Sequence, residues 1–260
     1  MMNLKKRAKA KEILQDLVEK PDNVFLIHYS CESFYGRRDL CSPMITSIAI
    51  RSLATRQAHS FSIHLVADEV GKLGCIKENY SELEKNMLEK YFLFIHEHKN
   101  HKWVHWNMRD SNYGFGALEH RYKVLGGDAD IIEDNCKFDL SSLLIDIFSV
   151  KYINHPRLEG LIDKNGISKN NFLTGKEEAI AFQDEDYLKL HQSTLIKTDI
   201  FANIMERFYN NQLKTNLTWK NLQGSRAIYF ATWFNNNPIL TFIIAISGWI
   251  FGLISLIFSR

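Results

Sequence analysis

The run Ile239–Phe258, ILTFIIAISGWIFGLISLIF, carries no charge over twenty residues. At about 1.5 Å per residue, a helix of that length reaches about 30 Å, the thickness of the hydrocarbon layer of a bilayer. A helix that is apolar on every face is too costly to leave in water and too long to hide inside a small core. The pattern predicts a transmembrane helix over 238–258, reached through a juxtamembrane linker over 213–237 and followed by Ser259 and Arg260 alone. The expected topology keeps the bulk of the chain cytoplasmic, with Lys214, Lys220 and Arg226 on the approach to the bilayer. It suits a bacterial inner membrane or an organelle surface. Gly248 and Gly252 form a G-x-x-x-G pair that lets two such helices approach closely, so a homo-oligomer through the membrane helix is expected besides the lipid partner.

The other residues of the 260 suffice for one domain with a sizeable core. A formal charge of +2 excludes a strong overall pull toward nucleic acid or anionic lipid, so any such attraction has to be local. Cys31, Cys41, Cys75 and Cys136 are irregularly spaced, with neither a C-x-x-C clamp for zinc nor a dense disulfide framework. Residues 1–20 are charged and lack the apolar centre of a signal peptide.

Residues 3–20 read as an amphipathic helix, set off as an N-terminal segment over 1–21 and stopped by Pro21. The apolar run Val24 to Tyr29 predicts a buried strand, and Ile45 to Ile50 a second. In His59 to Val66, Phe61, Ile63 and Leu65 alternate with Ser60, Ser62 and His64, which predicts a third. Leu83, Met87, Leu88, Tyr91, Phe92 and Ile95 then recur at helical spacing, and Trp103–Trp106 predicts a short central strand. Helices are expected over 116–125, 140–150, 176–182 and 185–210.

This β-β-β-α-β order followed by helices is that of a ribonuclease-H-like domain, here over 22–212. Three segments carry a closer likeness: Ser30-Cys31-Glu32 ending the first strand, His105-Trp106-Asn107-Met108-Arg109-Asp110 after the fourth, and His191 to Asp199 on the late helix. With His155-Pro156-Arg157-Leu158-Glu159-Gly160-Leu161 between them, the chain resembles the DnaQ-like, or DEDD, 3′–5′ exonucleases. The resemblance implies an α/β fold with a mixed sheet flanked by helices and a site in which carboxylates hold two metal ions. Carried onto this sequence, it makes Glu32, Asp110 and Asp199 the candidate ligands of Mg2+ or Mn2+, and His191 the base that takes a proton from the attacking water.

The chain departs from that pattern where it matters. Ser30 stands where the first Asp is expected, Asn107 or Asp110 has to serve for the second, and Asp199 is loosely spaced from His191. A serine hydroxyl and an amide bring no charge to a site that needs hard anionic oxygens. Two functions stay open. One is a membrane-anchored, metal-dependent exonuclease-like protein binding nucleic acid or a nucleotide ligand at the cytosolic face. The other is a catalytically inactive sensor or oligomerisation domain whose membrane helix is a disruptive effector, as in bacterial anti-phage defence. Arg37, Arg38, Trp106, Arg109 and Tyr113 offer guanidinium groups and aromatic platforms for a nucleic-acid face. His96, His98, His101 and His105 lack metal-ligand spacing and predict a solvated turn.

Overall fold

The computed structural model describes residues 4–33, 42–109 and 113–217. Helix α1 (Leu4–Glu19) buries Ala10, Leu14 and Leu17, a spacing of four and three that makes one apolar stripe. Its chain turns at Pro21 into β1 (Val24–Cys31), buried on both faces as far as Ser30. A strand covered on both sides needs apolar residues at nearly every position, which explains the unbroken run from Val24 to Ile27.

β1 pairs antiparallel with β2 (Ile45–Ser52), and β2 pairs antiparallel with β3 (Ala58–Ser62). On its other side β1 pairs in parallel with β4 (Lys102–His105), which pairs in parallel with β5 (Lys137–Asp139). The order is β3-β2-β1-β4-β5, with β2 antiparallel to the other four.

The period of two along β1 divides the molecule into two cores. Phe25, Ile27 and Tyr29 face one, built with α2 (Ile63–Glu69), α3 (Tyr80–His98) and α4 (Phe115–Val124). Val24 and Leu26 face the other, built with α1, α5 (Leu140–Phe148), α6 (Arg157–Asn165) and α8 (Tyr187–Tyr209). Leu173 and Ala181, the latter on α7 (Gly175–Gln183), pack into the first. The expected α/β fold, a mixed sheet flanked by helices, is what the chain forms.

The expected third strand stops early. Ser62 is extended at φ −146° and heads α2, on which Ile63, Val66 and Ala67 are buried at helical spacing. Leu65, which alternation would bury, is 38% exposed. Alternation over eight residues was coincidental beyond Ser62, where helical burial of Val66 and Ala67 prevails. β5 is three residues long, too short to show a period. α6, over which no helix is expected from the residue pattern, buries Leu158, Leu161, Ile162 and Asn165 and ends on Gly166 at φ +60°.

Residues 213–217, after α8, stay on the domain. Asn165 accepts from the Lys214 N–H at 2.8 Å and donates to its carbonyl at 3.1 Å, while Leu213 and Leu217 pack on the second core. The first residues of the expected linker are therefore part of the folded unit. Among the described residues no helix is long and apolar enough to cross a membrane, and the expected span 238–258, with Gly248 and Gly252, lies outside them.

Candidate functional site

β1 is the strand at which the chain reverses its direction of travel across the sheet, with β2 on one side and β4 on the other. Sheets open a crevice at the carboxyl ends of strands at such a point. A cleft of about 1010 Å³ lies there, lined by β1 from His28 onward, by Trp106 and Asn107 after β4, by the start of α6, by α7 and by Lys197 of α8.

His28 and Ser30 share the face of β1 that bears Leu26, because alternate residues point the same way. Glu178 of α7 is the hub of the polar floor. Its Oε1 accepts from Ser30 Oγ at 2.9 Å and Ser193 Oγ at 2.9 Å, and lies 2.7 Å from the Lys197 ammonium. Thr194 extends the network, donating to the Leu190 carbonyl at 2.8 Å and accepting from Ser47 Oγ at 2.7 Å. The Lys197 side chain is only 6% exposed, with its nitrogen 5.5 Å from the centre of the Phe172 ring.

A capping box holds Glu178 in place. Thr174 accepts from the Glu177 N–H at 3.3 Å, and Glu177 accepts from the Thr174 N–H at 2.8 Å. Glu178 therefore sits in the first turns of α7, where the helix dipole favours a negative charge.

His28 is buried, and its imidazole is held well below its ordinary pKa, first by burial and then by the Lys197 charge. Tyr113 donates to the Tyr29 carbonyl at 3.1 Å, so His28 Nδ1, 3.3 Å from the same hydroxyl, is assigned as a donor to it. The neutral ring then presents Nε2 as an acceptor, and that buried atom has no partner. Arg157, at the first turn of α6, likewise has a buried Nε without a partner.

The sequence candidates fall in several places. Glu32, Trp106 and Tyr113 line the cleft. Trp106 is buried and stacks on Phe201 at 6.0 Å, and Tyr113 stacks on Tyr29 at 4.6 Å, so both are as much core as surface. Arg109 does not line it: its guanidinium is tied to Asp139 at 2.6 Å and contacts Ser142. Asp139 also caps α5 and accepts from the Asn107 N–H at 3.1 Å, so this carboxylate, unmarked by any motif, shapes the turn after β4. Asp110, Arg37 and Arg38 lie outside the described residues.

The late helix turns a different side to the cleft than its spacing suggests. Asp199 is half exposed, 3.8 Å from Arg51, and does not line the cleft. His191 is buried away from it, its ring 4.9 Å from that of His64. Lys197, which sequence reasoning missed, faces Ser30 instead. The only signal for it is its position three residues after Thr194, on the face that also carries Phe201. The expected solvated histidine turn is partly packed: the rings of His98 and His101 lie 5.3 and 5.1 Å from that of Phe25.

Among the described residues no three His, Cys, Asp or Glu side chains converge as ligands, and the cation beside Glu178 and Ser30 is an ammonium. Lining residues within the described part bring three carboxylates, Glu32, Glu159 and Glu178, against three basic groups, Arg157, Lys176 and Lys197. No protein-family model matches the chain, and no curated protein matches it.

His191 gives the domain an acid-sensitive element. Burial, then the nearby His64, lowers its pKa from the ordinary 6.5 to about 4. Between those values the unfolded chain binds the proton and the folded chain does not, so stability is full above pH 6.5 and falls as pH drops toward 4. The loss is on the order of 2–3 kcal/mol by pH 4. Urea titrations at several pH values should show this slope and a flatter one in His191→Gln; equal slopes would refute the assignment.

Proposed function

We propose that this chain is a membrane-tethered, ribonuclease-H-like module that binds a nucleotide or the end of a nucleic-acid strand in the cleft over β1 without hydrolysing it. The fold part of the reading is supported by the five-stranded mixed sheet flanked by helices, the coarse arrangement that the resemblance to DnaQ-like exonucleases implies. The observation that carries the non-hydrolytic part is the Lys197–Glu178 pair at 2.7 Å, set against Ser30. Two-metal hydrolysis needs anionic oxygens to hold the ions, activate water and steady the leaving oxygen. The Ser30 hydroxyl and the Lys197 ammonium leave Glu178 as the one carboxylate in this cluster, with its charge already met by the ammonium. The uncharged run Ile239–Phe258 supports the tether.

The second reading, a sensor with a membrane-disrupting helix, shares the inactive cleft and differs in what the tail does. Both follow from one set of measurements on the full-length chain in detergent. Labelled single-stranded DNA and RNA should be bound and should keep their length in magnesium or manganese. Metal-dependent shortening that Glu32→Ala abolishes would establish an exonuclease and overturn the proposal. Membrane leakage that requires residues 238–258 would favour the effector. Failure of the detergent-free chain to sediment with membranes would remove the tether.

A further inference from the structure

We infer that the Lys197 ammonium, fixed by Glu178, takes over the charge-neutralising task of divalent ions in a phosphate site, so the cleft holds the phosphate of a nucleoside monophosphate without metal. This inference rests on the ligand-binding reading above and concerns how the same cleft does it.

Three features converge on a ligand with an anionic end. Lys197 has three N–H donors and one carboxylate neighbour, Glu178, so its ammonium keeps donors for a further acceptor. Arg157 brings a guanidinium whose buried Nε has no partner. It also opens α6, a nine-residue helix whose N-cap position is Pro156, with no side-chain cap. The first intrahelical backbone bond there is donated by Gly160 to Pro156, so the N–H groups of Arg157, Leu158 and Glu159 have no acceptor within the helix, and those residues line the cleft. A buried lysine, an unpartnered arginine nitrogen and an uncapped helix start together make a phosphate cradle.

His28 adds a demand of a different kind. His28 lines the same cleft and its buried Nε2 is an acceptor without a partner, so it asks for an O–H or N–H donor rather than an anion. Orthophosphate alone meets the basic groups but fills little of the cleft. A nucleoside monophosphate satisfies both demands, with a ribose hydroxyl or a base amine for His28. The cleft, at about 1010 Å³, has room for it.

The charge pattern argues against a bridging metal. A magnesium ion beside Glu178 would sit next to the Lys197 ammonium, and like charges at hydrogen-bond distance repel strongly away from bulk water. Glu178 Oε1 already accepts from two serines besides Lys197, so that oxygen has no lone pair to give to a metal.

Calorimetric titration of the full-length chain in detergent tests this with adenosine, guanosine, cytidine and uridine 5′-monophosphates, with inorganic phosphate for comparison. At least one nucleotide should bind equally well in EDTA and in magnesium, and more tightly than phosphate. The paired variant Lys197→Met with Glu178→Gln keeps the floor neutral and should weaken binding about tenfold to a hundredfold, the worth of a charge-assisted hydrogen bond. His28→Phe should bring nucleotide affinity down to that of phosphate. Binding that appears only in magnesium, or that ignores the Lys197 change, overturns this inference while leaving the ligand-binding reading intact. No binding of any nucleotide or single-stranded oligonucleotide in either buffer overturns both. The EDTA and magnesium comparison needs only the native chain, so it decides even where a variant fails to fold.

Discussion

Arg121→Met is expected to lower the unfolding free energy by about 3–5 kcal/mol, because it strands a buried carboxylate. Glu84, on α3, is fully buried. It accepts from Arg121 Nε at 2.9 Å and Nη2 at 2.5 Å, and from the Ile45 N–H at 2.6 Å. Arg121 comes from α4, and Tyr80 of α3 adds a 3.0 Å bond to the Ile45 carbonyl. One carboxylate thus joins two helices to the first residue of β2. Burial pushes the Glu84 carboxyl above its ordinary value of 4.5, and the Arg121 hydrogen bonds are what oppose that rise. Without them the carboxyl rises further. A carboxyl raised in the folded state favours folding at acid pH and loses that favour as pH climbs through its folded value. The deficit of Arg121→Met should therefore be larger at neutral than at acid pH. Glu84→Leu combined with Arg121→Met should recover much of the loss, since a well-packed apolar pair replaces a buried ion pair at little cost. Equilibrium denaturation of the native chain, Arg121→Met, Glu84→Leu and the double variant measures each term. A single variant as stable as the native chain would show that the pair holds nothing together.

Phe201→Ala should cost about 3–5 kcal/mol as well, for a different reason. Phe201 is fully buried on α8. Its ring meets His28 edge-on at 5.8 Å and stacks with Trp106 at 6.0 Å, and both of those neighbours line the cleft. Truncation opens a cavity directly beneath the floor of the site, which rigid neighbours refill only in part. The variant should lose ligand affinity along with stability. Phe201→Leu keeps most of the volume and should cost about 1 kcal/mol. Thermal melts and nucleotide titrations of the two variants separate packing from chemistry. A loss below 1 kcal/mol for the alanine variant would mean that α8 is not held against β1 in this way.

Much of the fold was legible because its signals are local. The run from Val24 to Tyr29 is apolar at nearly every position because β1 is covered on both faces, and α8 repeats apolar residues on the turns that meet the sheet. The uncharged run Ile239–Phe258 is a matter of transfer free energy and can be read without any fold. Other elements left no local mark. β5 needs only three residues because β4 supplies its pairing partner, and residues 58–66 satisfy both periods until burial of Val66 and Ala67 decides for a helix.

The site was legible only in its first strand. Ser30 stands on β1, where its face follows from the pleat alone, whereas Glu32 lies past the end of that strand. On α8, by contrast, a spacing is not a direction. Asp199 and Lys197 are two residues apart, which on a helix separates them by about 200°, so Lys197 meets Glu178 of α7 at the cleft while Asp199 lies by Arg51 of β2. Sequence determines that α8 is a helix with an apolar side, because that rests on the order of residues along a single turn. Which polar residue reaches the cleft was decided by tertiary packing: Thr194 against Ser47, and Phe201 under His28, fix the rotation of the helix about its own axis. Those contacts join residues up to 173 positions apart along the chain, from His28 to Phe201, and no local pattern records them.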